Sequence, residues 1–192
     1  MHWLNKIPYF TVSLFLAAWL VLAATSAQAS VKIEGVSFAS QLNTSPTLQL
    51  QGYGLLRYRW VIKAYVAAFY QTDTSLAAED MSGGKHLEIE YFHAIKAGGF
   101  AKATRDGVRS NTDQATYAAI EADLEAFLEL YQDVQPGDRY ALTWFPDQGI
   151  SLNLNGEALG RFSDERLARA LFAIWLGENP GDERLKQALL GG

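Results

Sequence analysis

Arg57, Arg59, Lys63 and Tyr65 are the residues of this chain whose types and spacing best suit chemistry. They stand at odd positions of a run from Leu55 to Tyr70. Its even positions, Leu56, Tyr58, Trp60, Ile62, Ala64, Val66, Ala68 and Tyr70, are apolar without a break. Alternation of period two describes an extended strand with one face in the core. The opposite face would then carry three cations and a phenol. A planar guanidinium recognises a carboxylate in bidentate fashion, and a tyrosine hydroxyl adds a further hydrogen bond. The chemistry on offer is anion binding. The plainer alternative is that this face meets water.

Other constellations are weaker. His86, Glu88 and Glu90 alternate on one strand face and have the donor types of a metal site, but a half-solvated strand shows the same alternation, and that reading is preferred. His93 falls on the apolar side with Tyr91 and Ile95, as a partly buried histidine would. Gly52-Tyr53-Gly54 opens like a dinucleotide fingerprint, yet Arg57 replaces the third glycine and an extended run follows in place of a helix. There is no Gly-x-Ser-x-Gly elbow and no cysteine, so neither a thiol nucleophile nor a disulfide is available. No cofactor and no metal are expected.

The elements that must position these residues are legible from periodicity. Val31–Phe38 and Thr47–Gln51 read as short strands, with Gly52-Tyr53-Gly54 as a break before the long run. A strand over His86–Ile95 precedes helices over Ala97–Arg109 and Asp113–Tyr131, the second with apolar residues at helical spacing. Strands follow at Arg139–Phe145, Ile150–Leu154 and Ala158–Phe162, the last two joined by Asn155-Gly156, a strong hairpin signal. Two helices close the chain, one reaching Leu176 with Gly177 as a left-handed stop, the other opened by Asn179-Pro180. Strands, then helices, then strands, then helices indicate α+β, with helices covering one face of a mainly antiparallel sheet.

The N-terminus reads as a secretory signal peptide, residues 1–29: Lys6 at the basic end, an apolar stretch over 7–24, and Ala27-Gln28-Ala29 as the cleavage site. The domain is then 30–192, and the expected location is the periplasm, with no stable membrane anchor after cleavage. Loss of Lys6 takes the formal net charge from −5 to −6. That acidity argues against nucleic acid, whose phosphates need clustered Lys and Arg, and against anionic lipid surfaces.

Three stretches resemble the chalcone isomerase family, in particular its exported bacterial members. They are Gly52–Arg57 running into Lys63–Tyr70, then Pro136-Gly137-Asp138 leading to Gly149–Gly156, and Ala170–Gly177 with Pro180 behind it. The resemblance implies an open-faced β-sandwich, a large antiparallel sheet with helices layered on it and a ligand cleft between. Plant members cyclise chalcones, and a related non-catalytic branch holds a fatty-acid carboxylate with an Arg and a Tyr. Arg57 and Tyr65 match those two positions, so the resemblance implies a carrier of an amphipathic small molecule such as a fatty acid or similar carboxylate. Phe100 and Gly107 fall where the isomerases have a Tyr and an Asn, which speaks against catalysis. An isomerase or lyase acting on an α,β-unsaturated carbonyl, and a partner-binding periplasmic domain, are the alternatives. Eight residues of straight strand span about 26 Å. Either the chain turns between Arg59 and Ile62, or Arg57 and Tyr65 do not act together.

The small residues at Ala27 and Ala29 lead to the first prediction. N-terminal sequencing of the exported protein should read from Ser30, and a retained Met1 in a membrane fraction would count against cleavage.

Overall fold

The computed structural model describes residues 29–59 and 61–192, so nearly all of the expected signal peptide lies outside the described residues. The strands are β1 (Ser30–Ile33), β2 (Val36–Ala39), β3 (Gln41–Leu42), β4 (Leu48–Tyr58), β5 (Ile62–Gln71), β6 (Lys85–Tyr91), β7 (Arg139–Phe145), β8 (Gly149–Leu154) and β9 (Glu157–Phe162). The helices are α1 (Ala97–Ser110), α2 (Gln114–Leu128), α3 (Glu165–Leu176) and α4 (Glu183–Leu189). Strands β3 to β9 form one sheet in chain order, every neighbour antiparallel. Helices α1 and α2 interrupt the meander between β6 and β7, and α3 and α4 follow it. This is the α+β, open-faced sandwich expected from the sequence.

The two faces of the sheet are covered differently. Ala67 and Phe69 of β5, Leu87 and Ile89 of β6, Tyr140, Leu142 and Trp144 of β7 and Ile150 and Leu152 of β8 pack under the helices. On the outer face, Val36 and Phe38 of the β1–β2 hairpin bury Val66, Ala68 and Tyr70 of β5. Strand β5 is therefore core on both sides from Val66 to Tyr70, so its odd positions are not a solvated face.

Helix starts follow capping chemistry. Asp113, Asp164 and Asp182 each accept a backbone N–H of the first turn, from Thr116, Arg166 and Leu185 respectively.

Several expected boundaries move, each for a local reason. The run Leu55–Tyr70 is a hairpin: Val61 N–H donates to Tyr58 O at 3.3 Å and Arg59 has φ +48°. Val31–Phe38 is likewise a hairpin, turning at Glu34 (φ +51°) and Gly35 (φ +91°). The strand from His86 stops at Tyr91, so His93 is exposed rather than buried. Gly177 has φ −75° and is no left-handed stop. A Cβ there would lie 2.7 Å from both Ala173 O and Asn111 Oδ1, so the residue must be small. The outer face of β6 is also not simply solvated. Arg139 donates to Glu90 (2.7 Å), Glu88 (3.1 Å) and Ser37 O (3.1 Å), with its guanidinium 5.0 Å from the Phe38 ring, which ties the β1–β2 hairpin to the sheet. His86 Nδ1 lies 2.8 Å from Thr143 Oγ1, and burial lowers its pKa to about 4. Among the described residues no grouping of His, Asp and Glu suits a metal ion.

Gly52-Tyr53-Gly54 does not break the strand; it makes room for α4. A Cβ at Gly52 would stand 2.1 Å from Ala188 O, and one at Gly54 would stand 2.8 Å from Leu185 Cδ1. Gly98, near the start of α1, has nothing within 4 Å of a Cβ. Gly52→Ala should therefore cost roughly 1–3 kcal/mol by overpacking, whereas Gly98→Ala should stabilise by up to about 1 kcal/mol. Urea unfolding of both variants would check the contrast. Equal effects would mean that α4 does not rest on these glycines.

Candidate functional site

The register of β4 against β5 decides which side chains share a face. Leu56 is opposite Tyr65 and Arg57 is opposite Lys63, so β5 carries one extra residue, Ala64, at this step. Such a bulge breaks the alternation of the strand. Ala64 and Tyr65 both face inward and line a cavity. Arg57 and Lys63 go to the outer side, where both reach Glu34 in the β1–β2 turn, Arg57 Nη2 at 3.5 Å. Arg59, at the turn, stacks its guanidinium 5.2 Å from the Tyr58 ring. The chain does turn between Arg59 and Ile62, but the turn and bulge together send Arg57 and Tyr65 to opposite faces. The expected Arg–Tyr carboxylate clamp is not assembled.

The cavity beside Tyr65 measures about 310 Å³ and lies between the sheet and the helix layer. The sheet contributes Leu56, Tyr65 and Tyr91, while α1 contributes Phe100, Ala103 and Thr104. Ile174 and Trp175 come from α3, Tyr131 follows α2, and Asp182 and Leu185 stand at the start of α4. Its walls are an aromatic array. Tyr65 and Tyr91 meet edge to face at 5.7 Å, Tyr91 and Phe100 at 5.1 Å, and Phe100 stacks on Tyr131 at 5.4 Å. A narrow apolar hollow of about 20 Å³ borders Tyr91, Tyr131 and Trp175 from the core side. A larger hollow of about 480 Å³ lies on the other side of α4, but it is walled largely by loop residues 74–79 and polar side chains. The aromatic cavity better fits the apolar, partly polar lining of ligand sites.

The polar groups of the cavity are neutral hydroxyls, one indole and the Asp182 carboxylate. Trp175 Nε1 donates to Tyr65 Oη at 2.9 Å, and Thr104 Oγ1 and Tyr131 Oη are 2.9 Å apart. Burial pushes the Tyr65 phenol up to about 12; the Trp175 hydrogen bond lowers it in part, and the Asp182 charge raises it. Burial also holds the phenols of Tyr91 and Tyr131 well above the usual range. All three therefore stay protonated near neutral pH, as hydrogen-bonding groups and not as bases. Asp182 is the single charged residue among the described lining, and its carboxylate also accepts the Leu185 N–H at 2.8 Å.

Phe100 and Gly107, which the resemblance sets against polar residues of the isomerases, are packing residues here. Phe100 is a buried wall of the cavity. Gly107 is packed against Ile174, whose Cγ1 would be 3.0 Å from a Cβ. In the sequence Trp175 and Tyr131 fall at apolar helical positions and do not stand out as site residues. Each carries a polar tip that needs a partner when buried, which was the available signal.

An antiparallel open-faced sheet with an aromatic cavity beneath its helices defines the class of fold. The profile of the chalcone isomerase-like family matches residues 30–191, and the chain belongs to that family. Among solved structures, a fatty-acid binding protein of Arabidopsis thaliana shares the fold, with a TM-score of 0.66 at 17% identity, covering 84% of this chain and 96% of that one. No curated protein matches the chain by sequence.

The Tyr65–Trp175 bond ties β5 to α3 across the cavity. Tyr65→Phe leaves the indole N–H without its acceptor, which should lower stability by about 1–3 kcal/mol in urea unfolding and shift Trp175 emission. An unchanged midpoint and spectrum would show that the bond contributes nothing.

Proposed function

We propose that this domain is an exported, non-catalytic binding protein that holds a small amphipathic molecule in the cavity under α1, α3 and α4. The observation that carries the reading is the cavity's composition: aromatic and aliphatic walls around Tyr65, Thr104, Tyr131 and Trp175, with every phenol held protonated. Such a site can solvate an apolar tail and hydrogen-bond one polar group. Its one carboxylate, Asp182, already accepts the Leu185 N–H, and Phe100 and Gly107 bring no polar group to replace those of an isomerase. The shared fold of the Arabidopsis fatty-acid binding protein supports a fatty acid, or an amphiphile of similar shape, as the ligand. The head group would meet hydroxyls and the indole, with Asp182 as the nearest charge, and not the guanidinium of Arg57. An ionised carboxylate gains little from such a lining, so a neutral head suits it better.

Calorimetric titration of dodecanoate and dodecanol tests this reading. Arg57→Ala should leave affinity within about twofold. Tyr65→Phe, which removes one neutral hydrogen bond, should weaken binding by about two- to tenfold. Dodecanoate should bind better at pH 5 than at pH 7.5, because the protonated acid enters without a charge. A large loss on Arg57→Ala, or stereoselective flavanone formation from a chalcone, would overturn it.

A further inference from the structure

The three most exposed large apolar side chains among the described residues are neighbours. Val61 is 78% exposed, Tyr58 56% and Ile62 47%, all at the tip of the β4–β5 hairpin. Single exposed apolar residues are ordinary, but a cluster on one projecting turn is not. The same tip concentrates positive charge. Arg57, Arg59 and Lys63 lie within it, and Glu34 is the acidic group paired with it, serving both Arg57 and Lys63. Counting those four groups leaves the tip at +2, in a chain whose formal net charge is −5. Charge is therefore segregated, and the overall acidity does not describe this surface. The Arg59 guanidinium lies over the Tyr58 ring, so cation and aromatic sit side by side. Trp60 stands between Arg59 and Val61 in the sequence and lies outside the described residues.

We propose that the tip of the β4–β5 hairpin docks on the surface of an anionic lipid bilayer, with Tyr58, Val61 and Ile62 entering the interface and Arg57, Arg59 and Lys63 meeting the phosphates. Aromatic rings and long cations are the side chains that settle at a membrane–water boundary, and each Lys or Arg near such a surface is worth about fivefold in affinity. A protein partner is disfavoured by size, since a stable interface buries about 800 Å² on each side and three side chains on a turn fall well short. The described helices include none long and apolar enough to cross a membrane, so the contact is peripheral. The tip is also continuous with the cavity. Leu56, two residues before Tyr58, and Ala64 and Tyr65, two and three residues after Ile62, line it. Docking would set the cavity beside the lipid phase. The docking itself does not depend on which ligand, if any, the cavity holds.

The test uses residues 29–192, which contain both cores and every described strand and helix, so that the apolar N-terminal segment cannot bind lipid itself. Flotation with vesicles of phosphatidylcholine and phosphatidylglycerol (3:1) is compared with phosphatidylcholine alone. The unaltered domain should float with the anionic vesicles and much less with the neutral ones. Val61→Asp with Ile62→Asp should lower anionic-vesicle binding at least tenfold. Arg59→Glu should lower it by fivefold or more and leave neutral-vesicle binding unchanged. Thermal melts should be unaltered, because these side chains are exposed. Arg59→Gln serves as the milder second variant if either melt shifts. Failure to float with anionic vesicles, or flotation indifferent to the tip variants, would overturn the proposal, as would a soluble protein that saturates the tip while vesicles do not bind.

Discussion

In an antiparallel pair, residues opposite one another share a face, and a single extra residue on one strand shifts that strand's inward–outward alternation by one position. Ala64 is such a residue. Its insertion opposite the Leu56–Arg57 step lets Leu56 and Tyr65 turn inward while Arg57 and Lys63 turn outward. Its carbonyl is not wasted, since it accepts the Phe92 N–H at 3.1 Å and so anchors the end of β6. Without the bulge, Lys63 and Tyr65 would lie on one face, and either a cation would enter the helix-side core or the phenol would leave the cavity. A second register shift, at Gln51 between Leu50 and Gly52, lets Leu48 and Leu50 of β4 serve the outer core while Gly52 and Gly54 present bare backbone to α4.

What collects in the cavity follows from that sorting. In β4 and β5 the cations Arg57 and Lys63 go to the outer face, where Glu34 and water meet them, and aromatic rings with polar tips go inside. Desolvation keeps each phenol protonated, so the phenols hydrogen-bond and do not act as bases. Gly107 and Phe100 complete the arrangement by packing: one lets α1 approach Ile174 of α3, the other stacks on Tyr131. Both positions are spent on a cavity wall and a helix contact.

The outer face has its own logic. Strand β5 is apolar on both sides, so something must cover Val66, Ala68 and Tyr70, and the β1–β2 hairpin does so. Arg139 bridges Glu88 and Glu90 to the backbone of Ser37, so the hairpin is held by charge-assisted bonds as well as by Phe38 and Val36. Glu34, at that hairpin's turn, then meets Arg57 and Lys63 at the base of the β4–β5 tip. Covering the core and presenting the cationic tip are thus linked through one short hairpin.

Periodicity and turn chemistry in the sequence determined the element order, the four helices, the β7–β9 meander with its Asn155-Gly156 turn, and Tyr65 as a residue worth watching. These are local properties, set by spacing and backbone preference within a few residues. The partners of each residue are non-local, and only the tertiary structure decided them. An alternation of period two looks the same in one long strand and in two strands joined by a tight turn, so Leu55–Tyr70 could not reveal its hairpin. A bulge leaves no mark in composition, so nothing told Arg57 from Tyr65 by face. Trp175 lies 110 positions beyond Tyr65, and no spacing rule relates residues that far apart. Glycines at 52 and 54 read as a break because the helix that needs their bare backbone comes more than 130 residues later.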